Sequence, residues 1–378
     1  MKIPLMRQAF YNEEFTKSNL ADFILTTTQF SMGEKCFEFE RKFAEWHGMR
    51  NGILVNSGAS ANLALLQALK NLGRLKDGDE VGFSAVTWST NVMPIIQMGF
   101  IPVPLDCNIY TLNVMSHLIR YDLKCVFLTN VLGLAGDLDK IKKLCDEHNV
   151  ILLEDNCEAL GTELVCGNKT GTFGLASTFS FFVGHHLSTI EGGMILTSDP
   201  ELADMLRLVR ANGWDRNLSD YCRDSFRSKY NISSKFQAKY TFYDLAFNIR
   251  PTEITGFLGL EQMRHLDEIV MKRHDNFTKL KPVVDLNHLL NHLKKISAFA
   301  IPFLFENRTN YIYCFEKNGI EVRPIIAGNI TKQPFWKKYV KEEYYLPGAD
   351  YIHKNGFYCA NRPDLTEEEI ALIADCAS

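Results

Sequence analysis

Short apolar runs alternate with amphipathic stretches along the first two-thirds of the chain. The runs are rich in β-branched and aromatic residues, which predicts β-strands. They cover residues 52–55, 81–86, 101–105, 125–129, 150–154, 178–183 and 194–196. Helical patterns lie between several of them, at 63–69, 91–98 and 137–148. Strands that alternate with helices through short loops predict an α/β fold with a mainly parallel sheet and helices on both faces.

The ends of the chain differ from this middle part. Residues 12–50 predict two helices that precede the sheet, and residues 217–240 show no period, which predicts a long loop. Beyond about residue 270 the sequence changes to short basic and apolar segments. We therefore expect a large α/β domain over residues 1–255 and a small C-terminal α+β domain over residues 256–378.

Composition, charge and cysteine spacing argue against several classes of protein. The chain has 378 residues, 46% of them hydrophobic, and a net charge of −4 with acids and bases interspersed, so neither a nucleic-acid surface nor a polybasic membrane surface is predicted. No run approaches the roughly 20 apolar residues of a membrane span, and the first residues lack an apolar signal core. Ten cysteines occur without a C-x-C or C-x-x-C pair. Reduced thiols and a cytoplasmic location are expected.

Candidate chemistry lies where the predicted strands end. The small residues of 56–62 open a helix, and such a turn either binds a phosphate or only caps the helix. Trp88 follows the next strand, where it either stacks on a planar ring or packs in the core. Asp155 ends a buried run and needs a cationic partner, which is a ligand or another side chain.

Two histidines, His185 and His186, follow the run at 178–183, and Gly192 and Gly193 precede the next run. A histidine pair at a strand end is often structural or metal-binding. No third and fourth ligand stands at zinc spacing, so no metal site is predicted.

The segment around these histidines resembles a segment of a known protein family. Ser180-Phe181 and Glu191-Gly192-Gly193 resemble the segment S-F-x-x-x-K-N…E-G-G around the Schiff-base lysine of the DegT/DnrJ/EryC1/StrS sugar aminotransferases, and His185 stands at the lysine position. The resemblance covers residues 20 to 362 approximately. It implies the PLP-dependent transferase type I (aspartate aminotransferase-like) fold, with pyridoxal 5′-phosphate (PLP) and its amine form pyridoxamine 5′-phosphate (PMP) as cofactor.

The resemblance also implies roles for individual residues. Cofactor-binding roles fall on Asn56, Ser57, Gly58, Trp88, Asp155, Glu158, Ser180 and Asn248, with Asp155 at the ring nitrogen and Trp88 over the ring. Substrate-binding roles fall on Thr28, Gln29, Asn212, Arg216, Arg250 and Asn329, and Asn212 replaces a family histidine. Asn248 and Arg250 belong to a segment that reaches the other subunit, which implies a homodimer with shared active sites.

Histidine at position 185 changes the expected reaction. It cannot form the imine that lysine forms, but it can move a proton. The substitution resembles the branch of the family that dehydrates nucleotide-linked 4-keto-6-deoxy sugars at C3, for which GDP-4-keto-6-deoxy-D-mannose is the expected substrate. L-Glutamate would regenerate PMP, and ammonia and a 4-keto-3,6-dideoxy sugar would be released, as in colitose synthesis for O-antigen.

Three other hypotheses remain open. An ordinary sugar aminotransferase requires a lysine at position 185, and an iron–sulfur-dependent dehydratase requires a close cysteine cluster. A non-catalytic PLP-binding scaffold would have no chemical reason to keep Trp88, Asp155, Ser180 and Asn248 together.

Overall fold

The apolar runs pair into a central sheet. A computed structural model describes residues 2–284 and 290–378. In chain order its strands are β1 (Asn51–Val55), β2 (Glu80–Ser84), β3 (Ile101–Leu105), β4 (Cys125–Thr129), β5 (Ile151–Asp155), β6 (Glu163–Leu164), β7 (Ala176–Ser180), β8 (Gly193–Thr197), β9 (Leu293–Lys295), β10 (Ala300–Leu304), β11 (Val322–Pro324) and β12 (Gly356–Ala360). Seven of them form one sheet in the order β1-β8-β7-β5-β4-β2-β3.

Strand direction sets the position of the site. β2, β3, β4, β5 and β7 run parallel, and β8 is antiparallel to both β7 and β1. β1 therefore points the same way as the parallel strands, and the carboxyl ends of six strands share one edge. Gly193, the first residue of β8, pairs with the last residues of both β1 and β7, Val55 and Ser180.

Helices cover the sheet on both faces. In chain order they are α1 (Glu13–Thr26), α2 (Glu34–His47), α3 (Gly58–Asn71), α4 (Ser89–Gln97), α5 (Leu138–His148), α6 (Pro200–Arg210), α7 (Asp220–Lys229), α8 (Glu253–Met263), α9 (Leu266–Val284), α10 (Arg308–Lys317), α11 (Pro334–Tyr339), α12 (Pro347–Asn355) and α13 (Glu367–Ala377). The two helices predicted before the sheet are confirmed as α1 and α2. The predicted α/β architecture with a mainly parallel sheet is confirmed as well.

Packing of the helices follows their apolar residues. α3 contacts α4, α6, β7 and β8, and its buried Leu65 and Leu69 belong to the cluster on that face of the sheet. α2 contacts β1 and α8, and its Phe39 and Phe43 belong to a separate cluster with Phe179 and residues of β8. The two clusters hold the strand ends between rigid layers.

The long loop predicted over residues 217–240 is wrong in part, because helix α7 lies within it. Ser219 caps this helix by accepting a hydrogen bond from the backbone N–H of Cys222 at 3.3 Å. Cys222 and Phe226 pack against the core, while none of the residues of α7 is fully buried. This helix contains few apolar residues, which explains why the pattern of apolar positions did not reveal it.

A second, three-stranded sheet, β10-β12-β11, lies in the C-terminal part. The predicted domain boundary between residues 255 and 256 falls within α8, and the division into two domains stays a prediction. No helix in the described ranges has the length and apolar character needed to span a bilayer. All ten cysteines are free thiols.

Candidate active site

A cavity of about 530 Å³ opens at the carboxyl edge of the central sheet. Residues that follow β1, β2 and β5, together with the last residue of β7, line it, because these strands end at the same edge. Seven residues singled out in the sequence meet there, namely Ser57, Gly58, Trp88, Asp155, Glu158, Ser180 and His185. The crevice at the carboxyl ends of parallel strands is the usual ligand site of α/β folds.

The first turn of α3 forms a tight cradle in this cavity. Ser57 is extended and its side-chain oxygen accepts a hydrogen bond from the backbone N–H of Ser60 at 3.1 Å, which begins the helix at Gly58. The first N–H groups of a helix lack partners within the helix and attract anions. A Cβ on Gly58 would be 2.7 Å from Cβ of Ser180, so only glycine leaves room here. The cradle fits a phosphate group.

Three donors hold the carboxylate of Asp155 at the end of β5. The side-chain amides of Asn62 and Asn91 donate to Oδ2 at 3.0 and 2.7 Å, and the backbone N–H of Cys157 donates to Oδ1 at 2.9 Å. Asp155 is only 3% exposed. A buried carboxylate in a fixed orientation suits a cationic ring nitrogen.

Asn62 and Asn91 were not assigned roles from the sequence. The sequence gives little indication of a role for either residue, because a single amide on an apolar helix face resembles an ordinary helix residue. Only the convergence of α3 and α4 on β5 reveals that both amides orient the same carboxylate.

Glu158 is a second acid in the cavity, with a different environment. Its Oε2 accepts a hydrogen bond from the backbone N–H of Leu132 at 2.7 Å, and Leu132 has a left-handed φ of 53°. Burial, followed by repulsion from Asp155, raises the pKa of Glu158 to about 8. Glu158 is therefore mainly protonated near neutral pH and can donate a hydrogen bond.

Glu154, the acid just before Asp155, has a structural role. Glu154 is fully buried and accepts hydrogen bonds from the backbone N–H groups of Gly171, Phe173 and Gly174 at 2.7 to 2.9 Å. It holds the turn that precedes β7 and does not line the cavity.

The two histidines lie in different environments. His185 lines the cavity, and its ring centroid is 5.1 Å from that of Phe299. Burial, followed by the positive charge of Arg273, lowers the pKa of His185 to about 4, so the imidazole is neutral at pH 7. The Nε2 atom of His186 instead lies 2.8 Å from the carbonyl oxygen of Ser297, which ties the loop to the C-terminal part of the chain.

Aromatic side chains complete the cavity. Trp88 precedes α4 and is 58% exposed, which is unusual for a tryptophan in a monomeric protein. Phe299 and Tyr358, which the sequence analysis missed, enter from the C-terminal part together with Arg323. Burial and the nearby Glu158 raise the pKa of Tyr358, so its hydroxyl keeps its proton. No local sequence pattern predicts that these distant segments meet the sheet edge.

Comparison with known proteins agrees with this geometry. The model of the DegT/DnrJ/EryC1/StrS aminotransferase family matches residues 12–377. The chain belongs to this family. The predicted family and fold class are thereby confirmed.

Among the family's members, the chain is similar to a GDP-4-keto-6-deoxy-D-mannose 3-dehydratase of Yersinia pseudotuberculosis, with 33% identity over 91% of each chain. It also resembles the crystal structure of a GDP-4-keto-6-deoxymannose-3-dehydratase with a trapped PLP-glutamate geminal diamine, at 30% identity and a TM-score of 0.90 over 100% of both chains. A mutant of such a dehydratase with bound GDP-perosamine superposes with a TM-score of 0.90 at 29% identity, again over 100% of both chains.

Other residues predicted from the family resemblance lie outside the cavity. The backbone N–H of Asn56 donates to the carbonyl of Ile249 at 3.0 Å, which places the segment 248–250 beside the α3 cradle. Asn248 and Arg250 are exposed, and Nε of Arg250 donates to Oδ1 of Asn248 at 3.0 Å. Both side chains are available to a second molecule.

The remaining candidates are spread over the surface around this segment. Thr28 and Gln29 lie in an exposed loop, where the Gln29 amide donates to the carbonyl of Met32 at 3.0 Å. Asn212 has a left-handed φ of 59° and its backbone N–H donates to Phe247 at 2.7 Å. The guanidinium of Arg216 lies 4.3 Å from the ring centroid of Trp214.

Asn329 stands apart from these residues, because its side chain is already engaged. It is 2% exposed, donates to Asp350 at 2.7 Å and accepts from the backbone N–H of Thr331 at 3.0 Å. Asn329 does not line the cavity, and its substrate contact stays a prediction.

Proposed function

We propose that this protein is a PLP-dependent 3-dehydratase that removes the C3 oxygen of a nucleotide-linked 4-keto-6-deoxy sugar, with GDP-4-keto-6-deoxy-D-mannose as substrate. One observation carries the proposal: a neutral histidine, His185, lies on the cavity wall where an aminotransferase places its lysine. Among the described residues no lysine lines this cavity. The named relatives with this activity support the choice.

The cavity suits the cofactor. The α3 cradle at Ser57 and Gly58, together with Ser180, would hold the phosphate, Asp155 would face the ring nitrogen, and Trp88 would cover the ring. When bound, the cofactor supplies an amino group for the C4 ketone and an electron sink for the neighbouring carbons. All further chemistry is assigned to side chains of this protein.

His185 is the proton carrier in this proposal. Its imidazole is neutral at pH 7 because of burial and Arg273, so it can accept a proton. This proton would come from the cofactor carbon that bears the amino group, and His185 would deliver it to the C3 hydroxyl as the C3–O bond breaks, so that the oxygen leaves as water. Glu158, protonated near neutral pH, donates a hydrogen bond in the same cavity. Since histidine has no amino group that could displace the sugar nitrogen, this nitrogen would stay on the product and be lost by hydrolysis as ammonia.

L-Glutamate is the proposed source of the amino group. The overall reaction consumes one glutamate and one 4-keto-6-deoxy sugar and releases one 2-oxoglutarate, one ammonia and one 4-keto-3,6-dideoxy sugar. Turnover of GDP-4-keto-6-deoxy-D-mannose with glutamate should therefore yield ammonia and 2-oxoglutarate in equal amounts. Parallel assays with dTDP-, CDP- and UDP-linked 4-keto sugars identify the nucleotide.

Each competing function makes a different prediction for this assay. An aminotransferase yields a 4-amino sugar without ammonia, and borohydride traps its cofactor covalently on the protein. A scaffold yields neither ammonia nor 2-oxoglutarate. An iron–sulfur dehydratase needs clustered ligands, and within residues 2–284 and 290–378 no three His, Cys, Asp or Glu side chains are placed to hold a metal ion.

We also propose a homodimer with shared active sites, located in the cytoplasm. Asn248 and Arg250 support the shared sites, because they are exposed, lie next to the α3 cradle and do not line the cavity of their own chain. The homodimer follows from the idea that these side chains complete the cradle of the second molecule.

Mixed dimers test the shared sites. A dimer of one His185→Asn subunit and one Asn248→Ala subunit contains one fully native site if Asn248 acts across the interface. Coexpression of the two inactive variants should then restore roughly half of the activity per mixed dimer. If Asn248 acts within its own chain, both sites of the mixed dimer carry one defect and no activity returns.

A further inference from the structure

A second cavity lies behind the histidine loop, on the side away from the active site. Its volume is about 370 Å³. The N-terminal segment 5–12, the loop 183–188, helix α9 and residues 362–364 line it, and we name it the N-terminal cavity. His185 lines both cavities and separates them.

Four cationic side chains reach this cavity, and three have a carboxylate partner. Arg7 pairs with Glu369, Lys272 with Glu268 at 3.1 Å, and Arg362 with Asp364 at 2.6 Å. The fourth is Arg273, on α9. Among the residues of the described ranges, no carboxylate lies within ion-pair distance of Arg273.

Arg273 is nevertheless buried, with 4% of its surface exposed. Its Nη1 donates to the carbonyls of Phe299 and Asn361, both at 2.8 Å, and weakly to Ala298 at 3.4 Å. Its Nε has no acceptor in the described part of the chain. A buried guanidinium that pairs with no carboxylate is costly, and burial, only partly offset by the charge of Asp364, lowers the pKa of Arg273 to about 9.

Arg362, which also lines this cavity, has buried donors without a partner. It is 5% exposed, and neither its Nε nor its Nη2 has a hydrogen-bond acceptor in the described ranges, although Nη2 lies 3.6 Å from Glu369. The backbone holds both arginines in place, since Asn361 donates to the carbonyl of Arg273 at 3.1 Å and Asn276 to that of Arg362 at 2.9 Å. Both arginines are therefore held in place beside the cavity.

We propose that the N-terminal cavity binds a small carboxylate, whose oxygens accept hydrogen bonds from Arg273 and Arg362. One carboxylate supplies the single negative charge that this cluster lacks, and its planar oxygens match the guanidinium fork. A phosphate dianion would bring excess charge next to Asp364. The volume also admits a larger acid such as 2-oxoglutarate, which is the same chemistry from a different source.

A carboxylate in the N-terminal cavity would affect the active site through His185, because His185 lines both cavities. The charge of Arg273 lowers the pKa of His185. Among the described residues, the other titratable groups that line one of the two cavities with His185 are His186, Asp155, Cys157, Glu158, Glu191, Arg323, Tyr358, Arg7, Tyr11, Lys272, Arg362 and Asp364. A carboxylate bound to Arg273 offsets this charge and makes His185 easier to protonate. Acetate binding is measured without turnover, so it does not depend on which sugar the protein converts.

Thermal unfolding of the PLP-loaded protein tests the proposal. Sodium acetate at constant ionic strength should raise the melting temperature saturably by about 1–3 °C, whereas chloride and phosphate should not. The Arg362→Gln variant should lose the acetate effect. The matched variant Arg323→Gln, which removes a cation from the active-site cavity only, should keep it. A 2-oxoglutarate titration of the two variants shows whether the larger acid uses the same site.

The proposal is overturned if Arg323→Gln loses the acetate effect while Arg362→Gln keeps it. It is also overturned if acetate has no saturable effect on the wild-type protein. If Arg362→Gln fails to fold, crystals of the wild-type protein grown in acetate and in chloride decide the matter. Acetate density within hydrogen-bond distance of Arg273 supports the site. Acetate density absent from the N-terminal cavity refutes it.

Discussion

Gly193 packs directly against the helix start at Gly58, and a Cβ on Gly193 would be 2.7 Å from the backbone nitrogen of Gly58. It would come closer still to the carbonyl group of Ser57. The first residue of β8 thus sets the position of the α3 cradle. This contact explains why position 193 requires glycine.

Replacing Gly193 with alanine should displace the cradle. We expect PLP affinity to fall at least tenfold, on the order of 1.4 kcal/mol, and the free energy of unfolding to fall by about 1–3 kcal/mol from overpacking. Absorbance titration with PLP and urea unfolding measure the two effects. The control is Gly48→Ala, because Gly48 has a left-handed φ of 75° and open space around it. This control should lose about 1 kcal/mol of stability and keep its PLP affinity.

Replacing His185 with asparagine should abolish deoxygenation. Loss of a positioned proton carrier lowers kcat by about 10²–10⁴-fold, while PLP binding should persist because the cradle and Asp155 are untouched. The neighbouring variant His186→Gln is the matched control. It loses the contact with Ser297 and about 1 kcal/mol of stability, yet should stay within tenfold of wild-type activity. Equal activity of His185→Asn and the wild type would refute the mechanism.

Replacing Trp88 with alanine should weaken cofactor binding without destabilising the cofactor-free protein. Trp88 is 58% exposed, so its removal should change the free energy of unfolding by less than about 0.5 kcal/mol. Loss of ring stacking should raise the PLP dissociation constant about fivefold, and Trp88→Phe should recover most of it. Unchanged PLP affinity in Trp88→Ala would contradict the stacking role.

Glu158 should make stability depend on pH. Its pKa rises from 4.5 to about 8 on folding, so the folded protein keeps a proton that the unfolded chain has released. In the wild-type protein, the contribution of Glu158 to the free energy of unfolding is complete below pH 4.5 and declines as the pH rises towards 8. Glu158→Gln cannot titrate and still accepts from Leu132.

The stability of Glu158→Gln relative to wild type should therefore increase by more than about 1 kcal/mol between about pH 5 and pH 8.5. Urea unfolding of the cofactor-free proteins at both pH values measures this difference. A pH-independent difference between the two proteins would show that Glu158 does not retain its proton in the folded state.

The local pattern of the chain determined the seven strands of the central sheet, the helices that alternate with several of them, and the chemical character of the residues at the strand ends. These features follow from nearest neighbours along the chain, since periodicity, a glycine before β8 and an acid after a buried run are all visible within a few residues. The histidine at position 185 and its neighbours likewise stand in one continuous segment.

Only the tertiary structure decided which side chains share a cavity and what their environments do. Asn62, Asn91, Phe299 and Tyr358 come from distant segments, and their approach to Asp155 and His185 depends on how helices and the second sheet pack. The same packing buries Glu158, which raises its pKa. It also buries His185 near Arg273, which lowers the pKa of His185. Desolvation and charge proximity are properties of three-dimensional neighbours, so no local pattern reveals them.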